Sequence, residues 1–280
     1  MRLGYLGPPG TFSEEAVRAA TPEPSAERIP FPTIHDTVMA VQDEVVDRAL
    51  VPIENALEGG VSATLDALAG EARDVAIVGE TVLAIRNALM ARRHLPLDAI
   101  ETVVSHPQPL AQCARFLRDN LPQAGVRATT STADAVREVA ASDRPWAALG
   151  PASAAGIYGA HVLRHGVDDE PDNATRFVWL APAGTSPVGE GALGGWKTSV
   201  VFAGAGDRPP GWLVRCLSEF AFRGVNLTRI ESRPRRARLG HYLFHVDMEG
   251  NAGDPPVADA IAALGRHCED VRLLGSYPAA

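Results

Sequence analysis

Five stretches of this chain gather groups that can hold an anion or donate a proton to it. Asp172-Asn173-Ala174-Thr175-Arg176-Phe177 places a carboxylate, an amide, a hydroxyl and a guanidinium at the mouth of an apolar run that reads as a strand. Gly4-Tyr5-Leu6-Gly7-Pro8-Pro9-Gly10-Thr11 is a strand-to-helix turn whose glycines and prolines expose backbone N–H groups, and a helix start adds roughly half a positive charge there. In the third stretch a strand ends at Pro52, with Glu54 and Asn55 just beyond. Ligands gather at the carboxyl ends of strands in open α/β sheets, and an asparagine amide both donates and accepts. The fourth carries Ser105 and His106 at a strand end and Gln112 a turn into the next helix. Neighbours on a strand point opposite ways, so Ser105 and His106 do not form a nucleophile–base pair. With no GxSxG elbow, this stretch reads as binding rather than nucleophilic catalysis. The fifth, residues 146–160, is a short strand followed by small residues that admit close backbone approach. Each stretch also fits ordinary structure: a capped turn, a turn asparagine, or close packing.

The totals narrow the possibilities. With 280 residues, 46% hydrophobic and 21% charged, the chain is long enough for one large or two modest globular domains. A net charge of −8 disfavours nucleic acid and anionic membrane as partners, so an anionic ligand must be drawn in locally by arginines or helix N-termini. Cys113, Cys216 and Cys268 are odd in number and far apart, which fits a reducing cytoplasm rather than a disulfide framework. No signal peptide or membrane span is read, and cytoplasmic localisation is expected. His161 and His165, like His241 and His245, are four apart without supporting carboxylates or cysteines, so no metal site is expected. The glycine turn is not GxGxxG, and no dinucleotide or other cofactor motif appears.

The elements that must position these groups alternate. Residues 3–6, 49–53, 75–78, 102–105 and 146–149 read as strands, and residues 33–47, 109–120 and 132–141 as helices. Thr11 followed by Glu14 fits a capping box ahead of a further helix. This alternation predicts an α/β domain with a mostly parallel sheet. Residues 181–195 are rich in Gly, Pro, Ser and Ala and read as a linker. The pattern then restarts: strand 197–203, a helix from Pro210 to near Arg223 closed by Gly224, strands 225–233 and 241–249, helix 255–267 and strand 271–277. That order is β-α-β-β-α-β, the ferredoxin-like unit.

Taken together and in order, GPPGTFS, VPIEN with EG, SHPQPLAQC, the small-residue run after AALG, and DNATRF resemble the prephenate dehydratase family. The tail, with Glu231-Ser232-Arg233-Pro234, resembles that family's ACT regulatory domain. The resemblance implies a two-lobed, type II periplasmic-binding-protein-like catalytic domain over residues 1–181. Lobe one would span about 1–79 and 160–181, and lobe two about 80–159. A linker over 182–196 and an ACT domain over 197–280 would follow. It implies conversion of prephenate to phenylpyruvate without a cofactor, control by phenylalanine, and a homodimer or homotetramer. Thr175 would be the catalytic hydrogen-bond donor to the leaving hydroxyl. Thr11, Asn55, Ser105, Gln112 and Arg176 would bind substrate, Arg176 either as a bidentate partner of a carboxylate or in a domain-interface salt bridge. Gly211, Leu213, Asn226, Leu227, Glu231 and Ser232 would bind the effector.

Two positions depart from the family pattern. Ala56 follows PIEN where a hydroxyl residue is usual, and Trp212 stands in the Gly-Ala-Leu element of the ACT domain. Both bear on rival readings: a dehydratase acting on arogenate, and an amino-acid-sensing binding protein with a weakened cleft.

Overall fold

Hydroxyl residues start several of the helices. In the computed structural model, which describes residues 1–21, 25–188, 195–204, 210–235 and 240–280, strand β1 (Arg2–Leu6) leads into helix α1 (Phe12–Ala20). Thr11 caps α1 by accepting from the Glu14 N–H, and the Glu14 carboxylate accepts from the Gly10 N–H at 2.6 Å, a close relative of the predicted capping box. Strand β2 (Glu27–Phe31) and helix α2 (Ile34–Gln42) follow, with Thr33 accepting from Asp36 N–H. Strand β3 (Arg48–Asn55), the two-residue β4 (Gly59–Gly60), helix α3 (Ser62–Ala69) and the long β5 (Val75–Ala84) complete the first pass.

The chain then crosses through Ile85 and Arg86 into a second sheet. That sheet contains β6 (Asn87–Ala91), β7 (Thr102–Ser105), β8 (Gly125–Ala128), β9 (Trp146–Pro151) and β10 (His161–His165). Helices α4 (Pro107–Gln112), α5 (Ala114–Asn120), α6 (Thr132–Ala141) and α7 (Ser153–Tyr158) connect its strands. Residues 166–173 bring the chain back to β11 (Ala174–Pro182), which inserts into the first sheet.

The strand orders are β2-β1-β3-β11-β5, with β4 beside β3, and β10-β6-β9-β7-β8. The expectation of mostly parallel sheets is corrected. β11 runs antiparallel to β3 and β5, and β6 antiparallel to β9 and β10. These are the strands by which the chain returns to one sheet and enters the other, and their direction follows from the double crossing. The expected lobe boundaries shift for the same reason. Residues 80–84 belong to β5 in the first sheet, and residues 161–165 pair with β6 in the second. The single helix expected over 109–120 is broken at Cys113, because the Asp169 carboxylate of the return crossing accepts from the N–H groups of Arg115 and Phe116 and starts a new helix there.

Of the expected linker, residues 189–194 lie outside the described residues. Beyond it come β12 (Trp196–Ala203), α8 (Trp212–Ala221), β13 (Leu227–Pro234), β14 (Tyr242–Glu249), α9 (Pro255–Leu264) and β15 (Asp270–Pro278). Their order is β-α-β-β-α-β, in a sheet ordered β13-β14-β12-β15 with antiparallel pairing throughout. One face packs Val200, Phe202, Val246 and Met248 against Cys216, Phe220, Val257 and Leu264 of the helices. The other face joins the first sheet: Val201, Leu274 and Tyr277 share a core with Ile77, Val178, Leu180 and Leu68. Among the described residues no helix is long and apolar enough to cross a membrane.

Gly275 marks the closest approach of these two sheets. A Cβ there would lie 2.0 Å from the Ile77 carbonyl oxygen, a backbone atom that cannot swing away. Gly275→Ala is therefore expected to cost about 1–3 kcal/mol or more by forcing the sheets apart. Thermal unfolding should show a lower midpoint for the variant.

Candidate active site

A cavity of about 850 Å³ opens between the first and second sheets. Pro52, Asn55, Gly59, Gly60, Thr175 and Phe177 form the wall contributed by β3, β4 and β11. Thr11, Phe12 and Ser13 bring the start of α1, and Thr130, Ser131 and Thr132 bring the start of α6 from the opposite side. The first N–H groups of a helix have no intrahelical partner. Two helix N-termini thus aim unpaired donors and partial positive charge into one space. Among the described residues no arginine or lysine lines it; the charged lining groups are Glu58 and Asp134. Burial disfavours ionisation of Asp134, but the hydroxyls of Thr130 and Ser131 and the guanidinium of Arg137 outweigh that and hold its carboxyl below the usual range.

Thr175 stands opposite Asn55 in the β11–β3 register. The Asn55 amide donates to Thr175 Oγ1 at 2.9 Å and to Asn173 Oδ1 at 3.0 Å. Its own oxygen accepts from the backbone N–H groups of Leu57 and Glu58, at 3.0 and 3.2 Å. All of this amide is thus committed within the protein. Asn55 orients Thr175 rather than offering itself to a ligand. Because Thr175 Oγ1 already accepts a bond, its hydroxyl proton is the group left to point into the cavity.

Other predicted residues divide by strand alternation. Ser105 is fully buried and donates to the Leu149 carbonyl at 2.8 Å, so its assignment to substrate binding is corrected: it ties β7 to β9. His106, one residue on, faces the cavity as the cap of α4; its Nδ1 accepts from Gln108 N–H, which puts the proton of the neutral ring on Nε2. Gln112 lines the cavity and donates to Glu58 Oε1 at 3.3 Å across the gap between the two sheets. Thr11 also lines it, but its hydroxyl donates to the Leu6 carbonyl at 2.9 Å and accepts from the Glu14 N–H, so the adjoining amides, not this side chain, are left to meet a ligand. Ala56 is exposed and lies outside the cavity lining, so the missing hydroxyl there removes no contact from this wall.

Of the two roles open to Arg176, the substrate contact is set aside and the domain-interface salt bridge is the one formed. Alternation turns it away from Thr175, onto the opposite face of β11. Its guanidinium, 11% exposed, meets Glu54 at 3.1 Å, Glu80 at 3.0 Å and Asp247 of β14 at 2.5 Å. Arg229 reaches Asp247 at 3.5 Å, Ser199 Oγ donates to the other Asp247 oxygen at 2.7 Å, and Lys197 pairs Glu80 at 2.6 Å. Burial raises the cost of charge on Asp247, yet Arg176 and Arg229 outweigh it and keep the carboxyl below its ordinary value. This is a joint between sheets, not a substrate clamp.

The expected effector residues also separate. Gly211, at φ 81°, caps α8, and Leu213 packs against the helix-side core. Trp212 turns inward, its ring beside Phe202 and Phe244 and its indole N–H donating to the His267 carbonyl at 2.6 Å. Ser232 lies opposite Phe244, at the Trp212 end of the sheet, whereas Asn226 and Leu227 lie beside Met248 and Glu249 at the other end. Glu231 faces the opposite way from Ser232. A Cβ on Gly60, in the cavity wall, would lie 3.0 Å from Glu231 Oε2 and 3.2 Å from the Arg229 guanidinium. Within this chain Glu231 packs behind Gly60 of the cavity wall.

Several residues of the site have weak or no local signal. Nothing in the Asp172–Phe177 motif says that the Asn173 side chain spans two sheets. The Ser131–Asp134 cap of α6 carries a legible signal, a hydroxyl three residues before an acid. Tyr158, whose hydroxyl donates to the Pro9 carbonyl at 2.5 Å, ties α7 to the turn after β1 and has no sequence signature.

A family model described as prephenate dehydratase matches residues 3–185. The chain is 40% identical over 286 aligned positions to the prephenate dehydratase of Mycobacterium tuberculosis (strain ATCC 25618 / H37Rv), covering 99% of this chain and 87% of that one. It is similar to the crystal structure of prephenate dehydratase in complex with L-Phe from Arthrobacter aurescens, with 39% identity, a TM-score of 0.89, and coverage of 99% and 89%. It is also similar to a structure described as a novel type of quorum quenching acylase, with 29% identity, a TM-score of 0.86, and coverage of 100% and 98%.

Two outcomes are expected of the joint. Arg176→Met strands buried carboxylates and should cost about 3–5 kcal/mol in urea unfolding, with part recovered when Asp247→Leu is added. His245, 1% exposed, has a pKa lowered to about 4, first by burial and then by Arg229. The unfolded chain therefore takes up this proton first, and stability falls as pH drops from 6.5 toward 4. His245→Phe should flatten that stretch of the stability–pH curve by up to about 3 kcal/mol.

Proposed function

The chain belongs to the prephenate dehydratase family, and from that premise we propose how its cleft turns prephenate into phenylpyruvate as a carbon–oxygen lyase. Prephenate carries two carboxylates and a ring hydroxyl. The bond to the ring carboxylate breaks and carbon dioxide leaves. Its electron pair moves into the ring and expels the hydroxyl as hydroxide, and the ring becomes aromatic. A dianion gives a monoanion, carbon dioxide and hydroxide, so charge and atoms balance. The helix N-termini of α1 and α6, with Gln112 and His106, hold the carboxylates. Thr175 donates its hydroxyl proton to the departing oxygen. A threonine hydroxyl is too weak an acid to surrender that proton alone, so its part is a hydrogen bond that strengthens as charge develops. The observation that carries this reading is the Asn55-to-Thr175 bond, which leaves Thr175 a donor facing the cavity.

The two sheets with their helices are read as the lobes of a type II periplasmic-binding-protein-like catalytic domain, and residues 197–280 as a ferredoxin-like ACT domain. Phenylalanine is read as its effector. The Arthrobacter aurescens relative, solved with L-Phe, supports that reading. Effector residues from one chain that do not converge fit a site completed by a second copy. Val214, Ile230 and Phe222, the last 84% exposed, are large apolar side chains left at the surface of this domain, which fits a homodimer or homotetramer. Regulation has a physical route. β13 and β14 hold Glu54 and Arg176, the neighbours of Asn55 and Thr175, and back Gly60.

Purified protein is expected to form phenylpyruvate from prephenate, in preference to acting on arogenate, and phenylalanine is expected to slow it. Thr175→Val should lower kcat by about 10²–10³, as removal of a transition-state donor does, with the melting curve preserved. Phenylpyruvate absorbance after quenching in base measures both. Wild-type turnover in the Val variant would remove Thr175 from the chemistry.

A further inference from the structure

Asn173 lies where the two crossings between the sheets meet. Its side chain is in a residue only 1% exposed, and its carbonyl accepts from the N–H of Ile85, in the other crossing, at 2.9 Å. Its Oδ1 accepts from Asn55 Nδ2 at 3.0 Å, and its Nδ2 donates to Gln112 Oε1 at 3.4 Å. An amide has one accepting and one donating end, so these contacts have a direction. That direction has a fixed origin: the N–H groups of Leu57 and Glu58 point at Asn55 Oδ1 and cannot become acceptors. Asn55 must therefore turn its NH₂ to Asn173 and Thr175. Asn173 must answer with its oxygen and turn its own NH₂ to Gln112. Gln112 must turn its oxygen inward, and its NH₂ is left for the cavity, where it meets Glu58.

We propose that Asn173 is a positioning residue that relays this polarity, bracing Asn55 in the orientation that keeps Thr175 a hydroxyl donor and turning Gln112 into an N–H donor to a substrate carboxylate. The proposal rests on the dehydratase reading. It touches neither the reacting atoms nor the substrate, and it acts through groups in both lobes. The two halves of its side chain serve different parts of the reaction. Its oxygen supports the catalytic Thr175–Asn55 pair. Its NH₂ supports ground-state binding through Gln112.

Asn173→Asp separates them. The variant keeps an acceptor for Asn55 but presents a second oxygen to Gln112. The Gln112 amide must then reverse and offer its carbonyl to the incoming carboxylate. KM for prephenate should rise about tenfold or more, the worth of one hydrogen bond to a charged group, while kcat stays within about a factor of three of wild type. Added negative charge alone would also raise KM, so the test is a double-mutant cycle with Gln112→Met. If Asn173 acts through Gln112, the double variant has the KM of Gln112→Met alone. Independent, multiplying effects overturn the proposal, as does a folded Asn173→Asp enzyme with wild-type KM. Asn173→Ala, which loses both contacts, should lower kcat and raise KM together; unchanged constants in a folded Ala variant also overturn it. Wild-type turnover of prephenate, measured alongside, tests the dehydratase reading separately.

Discussion

The register of β11 on β3 is the constraint on which the rest depends. It sets Thr175 opposite Asn55 and, one residue on, Arg176 opposite Glu54. Side chains alternate across a strand, so the first pair faces the cavity and the second faces the C-terminal sheet. A slip of one residue would exchange them, putting a guanidinium in the cleft and a hydroxyl in a buried charge cluster. Both neighbouring structures enforce the register. On one side Asn55 is locked by Leu57, Glu58 and Asn173. On the other, Arg176 is gripped by carboxylates from β3, β5 and β14. The shared core of Ile77, Val178, Leu274 and Tyr277 presses the C-terminal sheet onto this strand pair.

A cleft for a dianion that is walled by backbone donors instead of arginines has a chemical logic. A guanidinium paired with the departing carboxylate would stabilise the ground state and lose its partner as carbon dioxide forms, which raises the barrier. Helix N-termini are weaker, fixed and spread over several N–H groups. A site built from them can hold an anion without committing a full charge to the group that must shed its own. The cations of this region are placed behind the wall: Arg176, Arg229 and Lys197, the chain's single lysine, all serve the joint between sheets.

What could be read from the sequence was local. The capping of α1 by Thr11 and Glu14, the strand ends that carry Asn55 and Thr175, and the β-α-β-β-α-β order of the tail all follow from short-range pattern. The family resemblance also pointed to Thr175, Gln112 and Thr11, which do line the cavity. What could not be read was direction and distance. A motif written Thr-Arg-Phe does not say that its members face opposite ways, so Arg176 reads equally as a cleft residue or an interface salt bridge, and the family likeness that places Ser105 in the cleft does not show that its hydroxyl is spent on the Leu149 carbonyl. β2, β6, β8 and β10 lacked clear alternation, and without β6 and β10 the double crossing, and hence the antiparallel strands, stayed hidden. Asn173 and Glu231 owe their roles to partners 118 and about 170 residues away, a separation no local pattern reports.

The central claim is that Thr175, and not Arg176, faces the reacting oxygen. The most direct measurement is a crystal structure with a ring-saturated, unreactive analogue of prephenate that keeps the ring hydroxyl. The account predicts Thr175 Oγ1 about 2.7–3.0 Å from that hydroxyl oxygen, Asn55 still donating to Thr175, and Arg176 still on Asp247. An analogue whose hydroxyl lies far from Thr175, or whose carboxylate has drawn Arg176 out of its cluster, would contradict it.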